Sequence, residues 1–177
     1  ERFVPDLIAG HRLGMFALTE AGGGSDPAGA MQTRAARDGN NYLLNGSKMW
    51  ITMADVCDAG VIFAKTDPQA GQRGISAFII EPKSAPGYRA DPVPMSSLSM
   101  LFRSNAVFLD DFVVPAENRL GEEGEGFKYI LQGMNPERIL IAAEAVGLGF
   151  AALKKATAYA KDRNVFNRPI GQNQAIQ

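Results

Sequence analysis

A chain of 177 residues, 46% of them hydrophobic, can bury the core of one ordinary domain, or of one domain and part of a second, which excludes wholesale disorder. A formal net charge of -1 excludes the polybasic face of a nucleic-acid binder or of an anionic-membrane binder. One cysteine, Cys57, and one histidine, His11, exclude an intramolecular disulfide and a Cys/His zinc site. His11 lies in the polar stretch Gly10-His11-Arg12 with no nucleophile motif beside it, so a catalytic triad is not expected. The apolar runs Ala59 to Ala64 and Ile75 to Ile80 are too short to cross a bilayer. No basic segment followed by an apolar one marks a leader, and the chain does not begin with Met, so a processed or partial chain is expected.

In chain order, Phe16 to Thr19 reads as a short strand that runs into a glycine cluster. Met31 to Arg37, the turn residues Asp38-Gly39-Asn40-Asn41 and the extended run Tyr42 to Leu44 predict a β-hairpin. Asn45-Gly46 predicts a second turn, leading into Lys48 to Thr52. Val61 to Ala64 and Ile75 to Ile80 read as strands buried on at least one face. Pro82, Pro86, Pro92 and Pro94 break the next stretch; Ala106 to Leu109 and Phe112 to Val114 read as the last two strands. Many short strands with turn residues between them argue for an antiparallel barrel or sandwich.

The pattern changes after Pro115. Gly121 to Gly126 is a linker of glycine and glutamate, and Phe127 to Met134 a first helical piece. Asn135-Pro136-Glu137 predicts a new helix start, with Asn as cap, Pro at the first position and an acid in the first turn. The Ala, Leu and Lys content up to about Lys161 predicts helix. Pro169 and Gly171 interrupt it, and Ala175 to Gln177 read as the beginning of another helix. A long helix of this composition requires partner helices, so more of a helical domain, or other subunits, is expected to cover it.

The segment Ala17-Leu18-Thr19-Glu20-Ala21-Gly22-Gly23-Gly24-Ser25-Asp26-Pro27-Ala28-Gly29 is the strongest chemical signal. A strand feeding three consecutive glycines can aim backbone N–H groups at an anionic or carbonyl-rich ligand, because no side chain blocks the approach. The whole segment resembles the signature of the acyl-CoA dehydrogenase family. Lys48-Met49-Trp50-Ile51-Thr52 resembles that family's second flavin-contact strand. Phe112 to Pro115, Asn118, Leu120-Gly121 and Gly124 to Phe127 resemble its exit from the barrel into the helical domain. Arg163 to Gly171, Gln174 and Gln177 resemble the loop and helix start that reach a neighbouring subunit's FAD. Two departures stand out: Asn167 replaces the more usual Gly, a change a left-handed turn tolerates, and Ser97 to Ser104 follows the family pattern poorly.

The resemblance implies an α+β fold, with an antiparallel β-barrel over residues 1–117 and the beginning of a C-terminal helical bundle over residues 118–177. It implies FAD as cofactor, an acyl-CoA substrate dehydrogenated to the trans-2-enoyl-CoA, an electron-transfer flavoprotein as partner, and a homo-oligomer, dimer or tetramer. It implies the cytoplasm or the mitochondrial matrix as location, for a bacterial or a eukaryotic source respectively. Phe16, Leu18, Thr19, Gly24, Ser25, Trp50, Ile51 and Thr52 would contact the flavin, and Arg163, Phe166 and Gln174 a partner's FAD. Ser25, Asn135 and Arg138 would contact the acyl-CoA. In many members the catalytic base is a glutamate far toward the C-terminus; in a minority it lies immediately before an arginine on this helix, a pattern that Glu137-Arg138 matches. Flavin oxidases or monooxygenases of the same fold, and a non-catalytic flavin or CoA binder, are the alternatives.

Overall fold

The computed structural model describes residues 2–95 and 103–176. The part of the poorly matching stretch that spans 97–102, and Gln177, therefore lie outside the described residues. Two compact units divide the chain, Glu1–Ile130 and Leu131–Gln177.

The first unit opens with α1 (Val4–Ile8), then β1 (Gly14–Ala17), the short α2 (Pro27–Ala30), β2 (Arg34–Asp38), β3 (Asn41–Thr52), β4 (Ala59–Lys65), β5 (Ile75–Ile80), β6 (Tyr88–Pro92), β7 (Ser104–Pro115) and β8 (Arg119–Leu120). All eight strands form one sheet in the order β6-β7-β3-β2-β4-β5-β8, with β1 also paired to β4. Strand β4 carries β1 in parallel along Ala59–Ile62 and touches β2, also in parallel, only at Lys65. The expected antiparallel barrel is thus corrected to a mixed sheet, in which β6 and β8 at the two ends of the path are not paired with each other among the described residues. The core lies against β3, β4, β5 and β7, where Leu44, Ile62, Phe78, Val107 and Val114 are buried together. Tyr42 packs edge-on to Phe78 and its hydroxyl donates to Glu123 at 2.9 Å.

Several boundaries differ from the sequence reading, each for a local reason. The predicted β2–β3 hairpin forms around Gly39 (φ 55°). Asn45-Gly46 does not turn: β3 runs straight through it. Asn45 spends its side chain across the sheet on Asp111, Nδ2 donating to Oδ1 at 2.8 Å and Oδ1 accepting from the backbone N–H at 2.9 Å, where the β3–β7 register shifts. The two last predicted strands are one, β7, bulged at Asp111 (φ 46°). Strand β6 forms between the prolines that hid it, pairing its residues with Asn105–Leu109 of β7.

A single helix, α3 (Gly126–Asp162), replaces the two pieces expected, and Asn135-Pro136-Glu137 lies inside it rather than at a start. Proline's fixed φ matches helical backbone, so the chain continues at the cost of one i→i−4 hydrogen bond and a crowded turn, ~3 kcal/mol. No described helix is long and apolar enough to cross a membrane. After α3 come β9 (Asn164–Val165) and β10 (Arg168–Pro169), a minimal hairpin turning through Phe166 (φ 52°) and Asn167 (φ 61°). Both turn residues are left-handed, as a type I′ turn demands. Ala175 and Ile176, expected with Gln177 to begin a helix, lie in a turn in which Ile176 N–H donates to Asn173 O at 2.8 Å.

The start of α3 is seated on β5. Ser76 Oγ accepts from Gly124 N–H at 2.9 Å, and a Cβ on Gly126 would lie 2.8 Å from the Ile75 carbonyl oxygen. Backbone cannot give way there, so Gly126→Ala should cost ~1–3 kcal/mol by overpacking. The expected outcome is a lower urea midpoint at an unchanged slope; an unchanged midpoint would show that the helix start yields.

Candidate functional site

Most of the expected cofactor residues lie where β1 leaves the sheet and β3 passes beside it. β1 stops at Ala17, and the chain continues through Leu18 and Thr19 into the glycine loop. Thr19 O accepts from Met49 N–H at 2.9 Å, which sets the loop's entry beside the middle of β3. Phe16 is 44% exposed while its ring meets Phe63 edge-on at 5.1 Å, so one face rests on the core and the rest is open. Leu18 and Ile51 are buried, so any contact they make with a ligand on this surface runs through backbone. Thr52, Gly24 and Ser25 are exposed, and Thr19 is half-buried. A Cβ added at Gly22 would meet nothing, and one at Gly24 only the Thr19 methyl at 3.9 Å. No neighbouring side chain crowds Gly22 or Gly24, while the Gly23 N–H is taken by Glu20 O at 3.1 Å. Asp26 closes the loop, its Oδ1 accepting from Gly29 N–H at 2.9 Å.

Trp50 reaches the surface through a β-bulge. Alternation along β3 would bury Trp50 with Lys48 and expose Ile51. The β3–β7 register shifts between Lys48 and Ile51, and Trp50 adopts φ 63°. One extra residue reverses the facing, leaving the indole 55% exposed and Ile51 buried. Holding a bulky residue in the left-handed region costs ~1–3 kcal/mol. Beside it, buried Asn105 bridges the strand end, its Nδ2 donating to Ile51 O, Arg103 O and Asp55 Oδ1 at 3.2 Å each.

Beneath this surface lies a charged cluster that sequence reasoning did not single out. Lys48 is buried, and its ammonium donates to Glu20 Oε1 at 2.8 Å and to Leu18 O at 3.2 Å. The Glu20 carboxylate also accepts from Thr33 Oγ1 (2.6 Å), Thr33 N–H (3.1 Å) and Gln32 N–H (2.6 Å). Gly46 (φ 145°) makes room, since a Cβ there would sit 2.7 Å from Thr33 Cα. Burial opposes the charge on Glu20, but the Lys48 ammonium and the hydrogen bonds from Lys48, Thr33 and Gln32 hold its pKa below the ordinary 4.5. Burial pulls Lys48 down to about 8 against the pull of Glu20, which leaves both groups charged at neutral pH. The signal available in sequence was weak: a glutamate opening a glycine loop and a lysine following Asn45-Gly46-Ser47 are residues ordinarily exposed. Cys57 is no candidate nucleophile: it is buried, and burial pushes its thiol up to about 11.

The remaining expected residues lie in the second unit. Asn135 and Arg138 sit one turn apart on α3, with Arg138 Nη1 donating to Asn135 Oδ1 at 2.9 Å. Glu137 between them is exposed and, among the described residues, hydrogen-bonds to no side chain. It lies well inside α3 rather than in the first turn that the sequence predicts. Arg163 follows the last turn, its carbonyl accepting from Ile170 N–H at 2.9 Å so that the β9–β10 hairpin folds back upon it. Phe166 stands at the hairpin tip, 93% exposed, and Arg163 and Gln174 are exposed as well.

Chemically, the first unit offers a planar ligand two aromatic side chains, a hydroxyl on Thr52 and on Ser25, and exposed loop backbone at Gly22, Gly24 and Ser25. That set suits a large ring system with a polar edge and an anionic tail. Residues 15–112 match the family model for the acyl-CoA dehydrogenase middle domain, and residues 124–177 the model for the acyl-CoA dehydrogenase C-terminal domain. The chain is 43% identical over 175 residues to an acyl-CoA dehydrogenase of Bacillus subtilis, covering 99% of this chain and 46% of that protein. It is 42% identical over 176 residues to the CarC subunit of a caffeyl-CoA reductase–Etf complex of Acetobacterium woodii, with 99% and 46% covered. It superposes with a TM-score of 0.88, at 34% identity, on a glutaryl-CoA dehydrogenase of Mycobacterium smegmatis in complex with FADH2, covering 99% of this chain and 44% of that one. The chain thus spans about half the length of the relatives it matches.

The buried carboxylate makes stability depend on acid pH. A group whose folded pKa lies below its unfolded value contributes stability above the unfolded value and loses it as the pH falls through the folded one. For Glu20 that window opens near 4.5 and extends downward. Urea midpoints measured from pH 7 to pH 3 should fall more steeply for the wild type than for Glu20→Gln. Parallel curves would mean that the carboxylate is no better held in the fold than in water.

Proposed function

The chain belongs to the acyl-CoA dehydrogenase family, and we propose that it forms the flavin-facing half of an enzyme that dehydrogenates an acyl-CoA thioester to the trans-2-enoyl-CoA. On this reading residues 1–117 are the middle β-domain with a short lead-in, and residues 118–177 the first part of the C-terminal helical domain. The observation that carries it is the display, from adjacent segments, of the open Gly22–Ser25 loop and the bulge-exposed Trp50, tied together by Thr19 O and Met49 N–H. FAD, when bound, supplies the acceptor for the hydride that leaves the substrate β-carbon. Its use here is supported by the relative solved with FADH2.

The chain's own residues would do the rest. Phe16 and Trp50 pack against the ring system, and the backbone at Leu18 and Ile51 borders it. Thr19, Gly24, Ser25 and Thr52 offer hydroxyl and amide hydrogens to the polar edge, where preorganised donors favour developing negative charge. Arg163, Phe166 and Gln174, exposed on the second unit, would reach the FAD of a neighbouring subunit in a homo-oligomer. Ser25, Asn135 and Arg138 would meet the acyl-CoA. Glu137 would take the proton from the α-carbon: its carboxylate is unengaged among the described residues, as a base waiting for substrate must be. An electron-transfer flavoprotein is the proposed oxidant of the reduced enzyme, in keeping with the A. woodii relative, which is named as a subunit of a complex with Etf.

Purified protein followed anaerobically in the visible should show a flavin band that bleaches on addition of some acyl-CoA esters. A band that never bleaches, or reduced protein that reacts rapidly with oxygen, would point to an oxidase or monooxygenase instead. Absence of the band after FAD is supplied would leave a non-catalytic binder. Glu137→Gln should retain the flavin and lose roughly 10²–10⁴-fold in the rate of bleaching, the range for removal of a general base. Full turnover in that variant would place the base elsewhere in the protein.

A further inference from the structure

The buried Lys48–Glu20 pair takes no part in the chemistry just described, yet its contacts all bear on the segments that do. The ammonium grips the chain on both sides of Thr19, at Leu18 O and at the Glu20 side chain. Thr19 itself is bound by the residue that follows Lys48, through Met49 N–H, and Trp50 comes next. Three consecutive residues of the loop entry are thereby locked to the stretch of β3 from which the indole emerges.

Glu20 does the same for the other end of the loop. Its carboxylate collects Gln32 N–H, Thr33 N–H and Thr33 Oγ1, so residue 20 and residues 32–33 are tied at one point. Glu20 O also accepts from Gly23 N–H at 3.1 Å, which bends the first turn of the loop. Everything from Ala21 to Met31, including Gly22, Gly24 and Ser25, hangs from that knot. Among the described residues, Glu20 and Lys48 are the only buried groups that carry charge. A pair of apolar residues could fill such a space at no loss of stability, but could not hold a backbone carbonyl and two amides in place.

We propose that Lys48 and Glu20 are positioning residues of the flavin site, setting the Gly22–Ser25 loop against Trp50 so that loop amides and indole meet the same ligand. The proposal rests on the flavin reading above. It differs from a purely stabilising role in what happens when both charges are removed together.

The test uses full-length protein as wild type, Lys48→Met, and the double variant Lys48→Met/Glu20→Gln, with melting temperature, FAD dissociation constant and visible circular dichroism of the bound flavin as readouts. Lys48→Met alone should melt lower, since it strands a buried carboxylate. The double variant should recover most of the melting temperature yet bind FAD about tenfold more weakly, ~1.4 kcal/mol, with an altered visible dichroism. A double variant that holds FAD with wild-type affinity and an unchanged dichroic band would overturn the proposal and leave the flavin reading intact. A wild type that takes up no FAD would overturn both. If the double variant does not fold, Thr33→Val removes the hydroxyl that donates to Glu20 at 2.6 Å and lies 3.3 Å from Ser47 O, and should shift affinity and dichroism in the same direction; unchanged affinity and dichroism there would equally overturn the proposal.

Discussion

The burial of one ammonium and one carboxylate at a strand crossing constrains everything around the candidate site. Taking both ions out of water costs several kcal/mol each, and only close, fully hydrogen-bonded geometry offsets it. Lys48 and Glu20 reach that geometry because a glycine at position 46 lets Thr33 come within bonding distance, and because Leu18 turns its carbonyl toward the ammonium. Each of these conditions fixes a backbone position. The loop entry, the start of β2 and the middle of β3 are thus located by electrostatics, whereas the rest of the first unit is located by apolar packing.

The two kinds of constraint act on opposite sides of the same strand segment. Lys48 faces inward and is satisfied there; Trp50, two residues on, would face inward too if β3 alternated regularly. The bulge resolves the conflict at the cost of a left-handed tryptophan. The same extra residue that exposes the indole restores Ile51 to the core, so the sheet keeps its apolar face beyond the irregularity. A large aromatic surface is presented to solvent by a strand whose neighbours are otherwise well packed. Strain of this sort persists only where the surroundings over-determine it, and the ion pair before the bulge and the Asn105 amide after it supply that determination.

How much of this was legible beforehand depends on which physical rule governed each segment. Ile75–Ile80 was readable to the residue because it is an uninterrupted buried strand. The glycine loop was readable because three glycines have few structural uses. Asn167, standing where the family usually has glycine, sits in a left-handed turn of the kind that tolerates that exchange. Asn45-Gly46 misled, since the same dipeptide serves a two-residue turn or a bulge, and only the partner Asp111, distant in sequence, decides. Asn135-Pro136-Glu137 misled because capping preferences describe helix starts without forbidding the same residues within a helix. The ion pair was illegible: burial of Lys48 depends on Thr33, Leu18 and Glu20 arriving from elsewhere, and no periodicity records that.

The parallel pairing of β1 with β4 carries a kinetic consequence. β2 and β3 close through a two-residue turn, and β4 and β5 through residues 66–74, so these pairs can form early from contacts near in sequence. β1 must wait for a strand far along the chain, Gly14 meeting Ala59 and Ala17 meeting Ile62. Closing so long a loop is entropically costly and slows the step that requires it. The glycine loop, strung between β1 and β2, therefore acquires its shape after the local hairpins, as does the still longer-range pairing of β3 with β7, where Leu43 meets Val113. A ligand that reads the loop and the indole together can recognise only a chain in which both of these long-range pairings are made, so its capture would serve as a checkpoint on folding.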